Sequence, residues 1–101
     1  MKIRVYISGA ISNLPHNDAK EVFNKAETLL NNQNFKAVNP FDNGLDKDEP
    51  WANHMRADIK ALLDCDCIYM LSNWRNSKGA RLEHKIAIDL GMGIIYQSNE
   101  Y

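Results

Sequence analysis

The sequence predicts an α/β domain whose four strands form one parallel sheet in the order 2-1-3-4. Three observations carry this. Strand-like and helix-like stretches alternate along the chain as βαβαβαβ, which implies parallel pairing through helical crossovers. The third strand-like stretch, Asp66 to Leu71, is almost continuously apolar, so it belongs in the middle of a sheet covered on both faces. A chain of 101 residues has room for one domain, residues 1–101, with one modest core.

Each element has its own local signal. Ile3 to Ser8 is rich in β-branched and aromatic residues and is stopped by Gly9. Asn13 and Pro15 turn the chain. From Asn17 to Leu30, Val22, Phe23, Ala26, Leu29 and Leu30 recur at helical spacing, with Asp18 and Glu21 toward the N-terminal end. The polar run Asn31 to Asn34 ends that helix, and Phe35 to Val38 is a short second strand broken by Asn39-Pro40. A loop from Phe41 to Glu49 turns at Asn43-Gly44. Pro50 suits the first position of a second helix that runs to Asp64. After the third strand, Ser72 to Ser77 is a polar loop holding Trp74. A third helix covers Lys78 to Leu90 and is closed by Gly91; Ile94 to Tyr96 is the fourth strand.

Composition excludes several partners. With 12 basic and 13 acidic side chains the net charge is −1, so there is no basic field for a nucleic-acid backbone and no polybasic anchor for a membrane. The apolar runs are far shorter than a membrane span. Met1-Lys2-Ile3-Arg4-Val5 passes directly into a strand pattern without the apolar centre of a secretory signal, so the expected location is cytoplasmic. Cys65 and Cys67 stand two apart; on a strand they would share a face, as reduced core residues. His16, His54 and His84 are scattered, as surface residues or site neighbours, and no metal or cofactor is expected.

Open parallel sheets bind ligands beyond the carboxyl ends of their strands. That selects Ser8 to Ser12, Asn39 to Asp42, Ser72 to Ser77 and whatever follows Tyr96. Two carboxylates stand near these ends on apolar helix faces. At about 100° per residue, Asp58 falls within the stripe of Trp51, Met55 and Leu62, and Glu83 falls among Ile86, Ala87 and Leu90. A charge facing an apolar layer is costly unless paired. Each carboxylate also has a purely structural reading. Glu83 lies early in its helix, where the dipole favours the ionised form, and Asp58 could pair with Arg56, Arg75 or Arg81. Their placement on either side of the third strand suggests instead that they approach one another in a cleft bordered by Tyr6, Gly9 and Ser77. Ser77-Lys78-Gly79 opens the third helix as an anion seat or as an ordinary cap. Gly9 would let a ligand approach the backbone. Phe41, Trp51 and Trp74 could stack on a base, although Trp51 reads more simply as core packing.

Taken together these segments resemble the nucleoside 2-deoxyribosyltransferase superfamily, and within it the short proteins with a DUF4406-like domain of unknown function. The resemblance rests on Tyr6-Ile7-Ser8-Gly9, His54-Met55-Arg56-Ala57-Asp58-Ile59, Asp64-Cys65-Asp66, and Ser77-x-Gly79-x-x-x-Glu83 followed by Ala87 and Leu90-Gly91. It implies a flavodoxin-like three-layer sandwich that cleaves or transfers the N-glycosidic bond of a deoxynucleoside or deoxynucleotide. Glu83 would be the nucleophile and Asp58 its assistant, with Tyr6 near the sugar or the nucleophile, in the two-carboxylate logic of retaining glycosidases. Ser8, Gly9, Asn39, Phe41, Trp74, Ser77 and Gly79 are the expected substrate contacts, with the Trp74 loop shielding the nucleophile. The resemblance also implies a site built partly from a neighbouring subunit, and Trp51 and Met55, on a helix that so small a domain is short of surface to cover, make the second helix the expected interface of a homo-oligomer. The sequence departs from the family in reading Glu83-His84-Lys85 where a glycine often follows the glutamate. The alternative is a nucleotide-sensing module of the same fold that binds without turnover; such a module has no use for a buried nucleophile at Glu83.

Overall fold

The computed structural model describes residues 1–98. Along it run β1 (Arg4–Ser8), α1 (His16–Asn32), β2 (Lys36–Val38), α2 (Trp51–Leu63), β3 (Cys67–Met70), α3 (Lys78–Asp89) and β4 (Gly93–Tyr96). Short 3-10 turns at Pro40–Asp42 and Trp74–Asn76 occupy the two stretches expected to be plain loop. The strands pair in parallel in the order β2-β1-β3-β4, as the alternation predicted. Tyr6 stands opposite Val38 on one side and Ile68 on the other, and Ser8 stands opposite Met70.

Side-chain alternation divides the core into two layers. Val5 and Ile7 of β1, with Tyr69 and Leu71, pack under Phe23, Ala26 and Leu30 of α1. Tyr6 of β1, with Ile68 and Met70 of β3, packs instead with Leu62 of α2 and with Ala80 and Ala87 of α3. Helices therefore cover both faces of the sheet, and residues 5 to 8 of β1 are sealed from solvent. The even-numbered side chains of β1, Tyr6 and Ser8, face the α2–α3 layer. That parity places the site.

Several local expectations change. Pro50 is not inside α2: it remains extended (φ −54°, ψ 145°) while its carbonyl already accepts from Asn53 N–H. Cys65 and Cys67 do not share a face. Cys65 sits in the α2–β3 turn, its N–H bonded to Leu62 O, and joins the α2–α3 layer; Cys67 lies on β3 and packs against the α1 layer. Pleat alternation does not extend to a residue outside the strand. Both thiols are unpaired. Leu90 leaves the buried face of α3 and is exposed, because the helix stops at Asp89 and Gly91 turns the chain with φ 69°. Trp51 is 42% exposed and is not core packing. No helix among the described residues is long and apolar enough to cross a membrane.

Candidate active site

The carboxyl end of β1 and the loop after β2 open into a cleft of about 680 Å³, a size that suits a small-molecule ligand. Tyr6, Ser8, Gly9, Phe41, Ser77 and Gly79 line it together with Asp58 and Glu83. The geometry thus brings both carboxylates into one cleft. Asn39 and Trp74 stay out of it. Asn39 is turned away because its amide donates to Asn24 Oδ1 and Glu27 Oε1 while its Oδ1 accepts from Phe41 N–H. Trp74 stacks against His84, ring centres 4.1 Å apart, and lies beside Tyr96, whose hydroxyl is 2.8 Å from His84 Nε2. The Trp74 ring is spent on that cluster and does not line the nucleophile's cleft. Of the residues after Tyr96, those beyond 98 lie outside the described residues.

Glu83 sits on the floor of the cleft. Its place follows from the start of α3, where Ser77 Oγ accepts from Ala80 N–H at 3.1 Å as an ordinary cap. One turn further on, Glu83 faces the even side of β1. Tyr6 donates its hydroxyl to Oε2 at 2.8 Å, and Ser8 donates to Oε1 at 2.7 Å. Gly79 brings α2 close: an added Cβ would lie 2.9 Å from Met55 Sδ. Gly9, on the cleft wall, also has a packing role, since a Cβ there would fall 2.6 Å from Leu71 Cδ1.

Asp58 stands one helical turn beyond His54 on α2 and is 6% exposed. None of Arg56, Arg75 or Arg81 pairs with it. Arg56 donates to Asn53 and Arg81 to the Arg75 carbonyl. The salt bridges among the described residues are Lys25–Glu21, Lys47–Asp48 and Lys85–Asp89, all on the surface. Asp58 Oδ1 instead accepts from Asn43 Nδ2 at 3.0 Å.

Two buried carboxyls with neutral partners are held toward their protonated forms. Burial pushes Glu83 up to about 7, against the lowering effect of the Ser8 and Tyr6 hydroxyls; the nearby charge of Asp58 adds to the rise. Burial likewise raises Asp58 to about 6, opposed by the Asn43 amide and His54. The helix dipole, expected to keep Glu83 ionised, loses to desolvation because Glu83 lies past the first turn, where the dipole fades. Burial and the adjacent Glu83 charge hold the Tyr6 phenol well above its ordinary range, so it serves as a donor.

Asn43 and His54 are members of this site that sequence reasoning assigned to a turn and to the general neighbourhood. The available signal was the spacing of His54 and Asp58, four apart on one helix face. No group of three or more His, Cys, Asp or Glu side chains placed to hold a metal ion occurs among the described residues.

Eight chains of solved structures match this fold. One is described as "2-desoxiribosyltransferase from Leishmania mexicana"; it superposes with a TM-score of 0.73 at 20% identity, covering 97% of this chain and 65% of that one. The fold is therefore the flavodoxin-like, nucleoside 2-deoxyribosyltransferase-like sandwich, and this chain spans 65% of that relative's length. A search of curated proteins finds no match. Within this fold class, the chain belongs to the family described as "Domain of unknown function (DUF4406)", which matches residues 3–96.

Proposed function

We propose that this protein cleaves or transfers the N-glycosidic bond of a deoxynucleoside or deoxynucleotide, with Glu83 as nucleophile. One observation carries the reading. A buried carboxylate with no cationic partner among the described residues is aimed by two hydroxyls at the floor of a cleft that holds a second carboxylate. In the reaction an ionised Glu83 oxygen bonds to C1′ as the C1′–N bond breaks and its electron pair leaves with the base. Asp58 delivers a proton to that base or orients the attack. Water or a second base then takes the sugar from Glu83. Burial raises both carboxyls, Glu83 to about 7 and Asp58 to about 6, so the productive arrangement, Glu83 ionised and Asp58 protonated, is the minor of the two singly protonated forms.

The test is release of free base, followed by chromatography, from a panel of deoxynucleosides and their 5′-monophosphates. Wild type is expected to release base from at least one of them, and Glu83→Ala from none while still binding it. A wild type that binds a nucleotide with micromolar affinity (about −8 kcal/mol) but releases no base would overturn the enzymatic reading in favour of a ligand-sensing module.

A further inference from the structure

Asp58 is held by a chain of groups from the loop after β2. Gly44, at φ 82°, bends that loop so that Leu45 N–H donates to Asn43 Oδ1 at 2.9 Å. With its oxygen so engaged, Asn43 must present its NH2 group on the other side. The two protons of that group face Asp58 Oδ1 at 3.0 Å and His54 Nδ1 at 3.1 Å. An NH2 group only donates, so His54 Nδ1 accepts and the imidazole proton sits on Nε2, where Asp46 O receives it at 3.0 Å. Every member of the chain is thereby satisfied in one orientation only. Asp58 Oδ2 has no protein partner among the described residues, yet it is not a sealed orphan atom; it opens on the cleft.

We propose that Asn43 and His54 are positioning residues that lock Asp58 in one rotamer, with Oδ1 tied to the loop and Oδ2 presented to the substrate's leaving group. The deduction rests on the glycosidic reading above. Neither residue needs to touch substrate for this role. The Asn43-Gly44 turn reaches the site through Asp58, and the α2 turn from His54 to Asp58 becomes one rigid unit with the loop.

Two kinds of measurement test it. The first needs no turnover. Imidazole 15N shifts of the wild type should show the His54 tautomer with its proton on Nε2; a tautomer with the proton on Nδ1 would overturn the chain. In Asn43→Ala the Asp58 carboxyl, followed by 13C shifts, should titrate above its wild-type midpoint, because a donor to the charged form is gone. An unchanged midpoint in a folded variant would also overturn it. The second is kinetic. Asn43→Ala and His54→Gln should lower kcat for base release roughly 10–100-fold with KM nearly unchanged. His54→Asn should recover most of that loss, since its side-chain oxygen can stand where Nδ1 stood and accept from Asn43. Equal losses in the Asn and Gln variants, or an effect on KM alone, would refute positioning. If wild type itself releases no base, the glycosidic reading fails, and the 15N and 13C results still decide whether the chain holds Asp58.

Discussion

Replacing Glu83 by Gln should make the protein more stable at alkaline pH and should remove one component of its pH dependence. Folding raises the Glu83 carboxyl from 4.5 to about 7, so the native state holds this proton more tightly than the unfolded chain does. Stability from that preference is fully present below about pH 4.5 and is lost as pH rises through about 7. The shift corresponds to roughly 3 kcal/mol. In Glu83→Gln a neutral side chain of the same shape meets the Tyr6 and Ser8 hydroxyls at every pH, as the protonated acid does. The variant and wild type should therefore be similar near pH 4.5 and diverge to roughly 3 kcal/mol by pH 8, on the order of 10–20 °C in Tm for a domain of this size. Asp58 is present in both proteins, so its own titration largely cancels in the difference. Urea denaturation followed by circular dichroism, at half-unit steps from pH 4.5 to 8.5, reads this directly. Profiles that stay parallel across the whole range would refute the claim that burial of Glu83 outweighs the two hydroxyls that stabilise its charge.

Other outcomes follow from the same geometry. Ser8→Ala removes a hydroxyl that stabilises the ionised form, so the rise of base release with pH should shift to higher pH; an unshifted profile would show that Ser8 does not act on Glu83. Asp58→Asn should slow base release by about 10²–10⁴-fold if Asp58 supplies the proton, with less than tenfold pointing to an orienting role only. Gly9→Ala should destabilise the fold by about 1–3 kcal/mol in urea, because its Cβ would collide with Leu71, a buried core residue. Trp74→Ala should leave KM for the nucleoside within about twofold, since the ring packs on His84 outside the cleft; a tenfold rise would return Trp74 to the substrate.

Much of the architecture was legible because it rests on periodicities. Alternating strand and helix patterns, and a continuously apolar β3, are local signals that tertiary structure did not override. The two carboxylates were legible for the same reason, as charged interruptions of helical apolar stripes. What escaped depends on the path of loops. Asn43 meets His54 and Asp58 across separations of 11 and 15 residues, and only the turn at Gly44 decides where its amide points. Trp74 was misplaced because an aromatic residue in a polar loop gives no sign of its direction; a 3-10 turn swings it onto His84. Asn39 was read from its position at a strand end, yet hydrogen bonds to α1 take its side chain elsewhere.

The division of β1 between two layers has a consequence for how this sequence can change over time. Positions 5 and 7 answer to α1 and need only apolar volume, whereas positions 6 and 8 answer to Glu83 and need a hydroxyl. Drift should be permissive and conservative in turn along a single five-residue strand. A one-residue insertion or deletion before Ser8 would exchange the two roles at once, setting an aliphatic chain against the carboxylate and a phenol against Phe23. Length variation is accordingly expected in the loops after β1 and β2, where it alters what the cleft admits, and not within β1 itself.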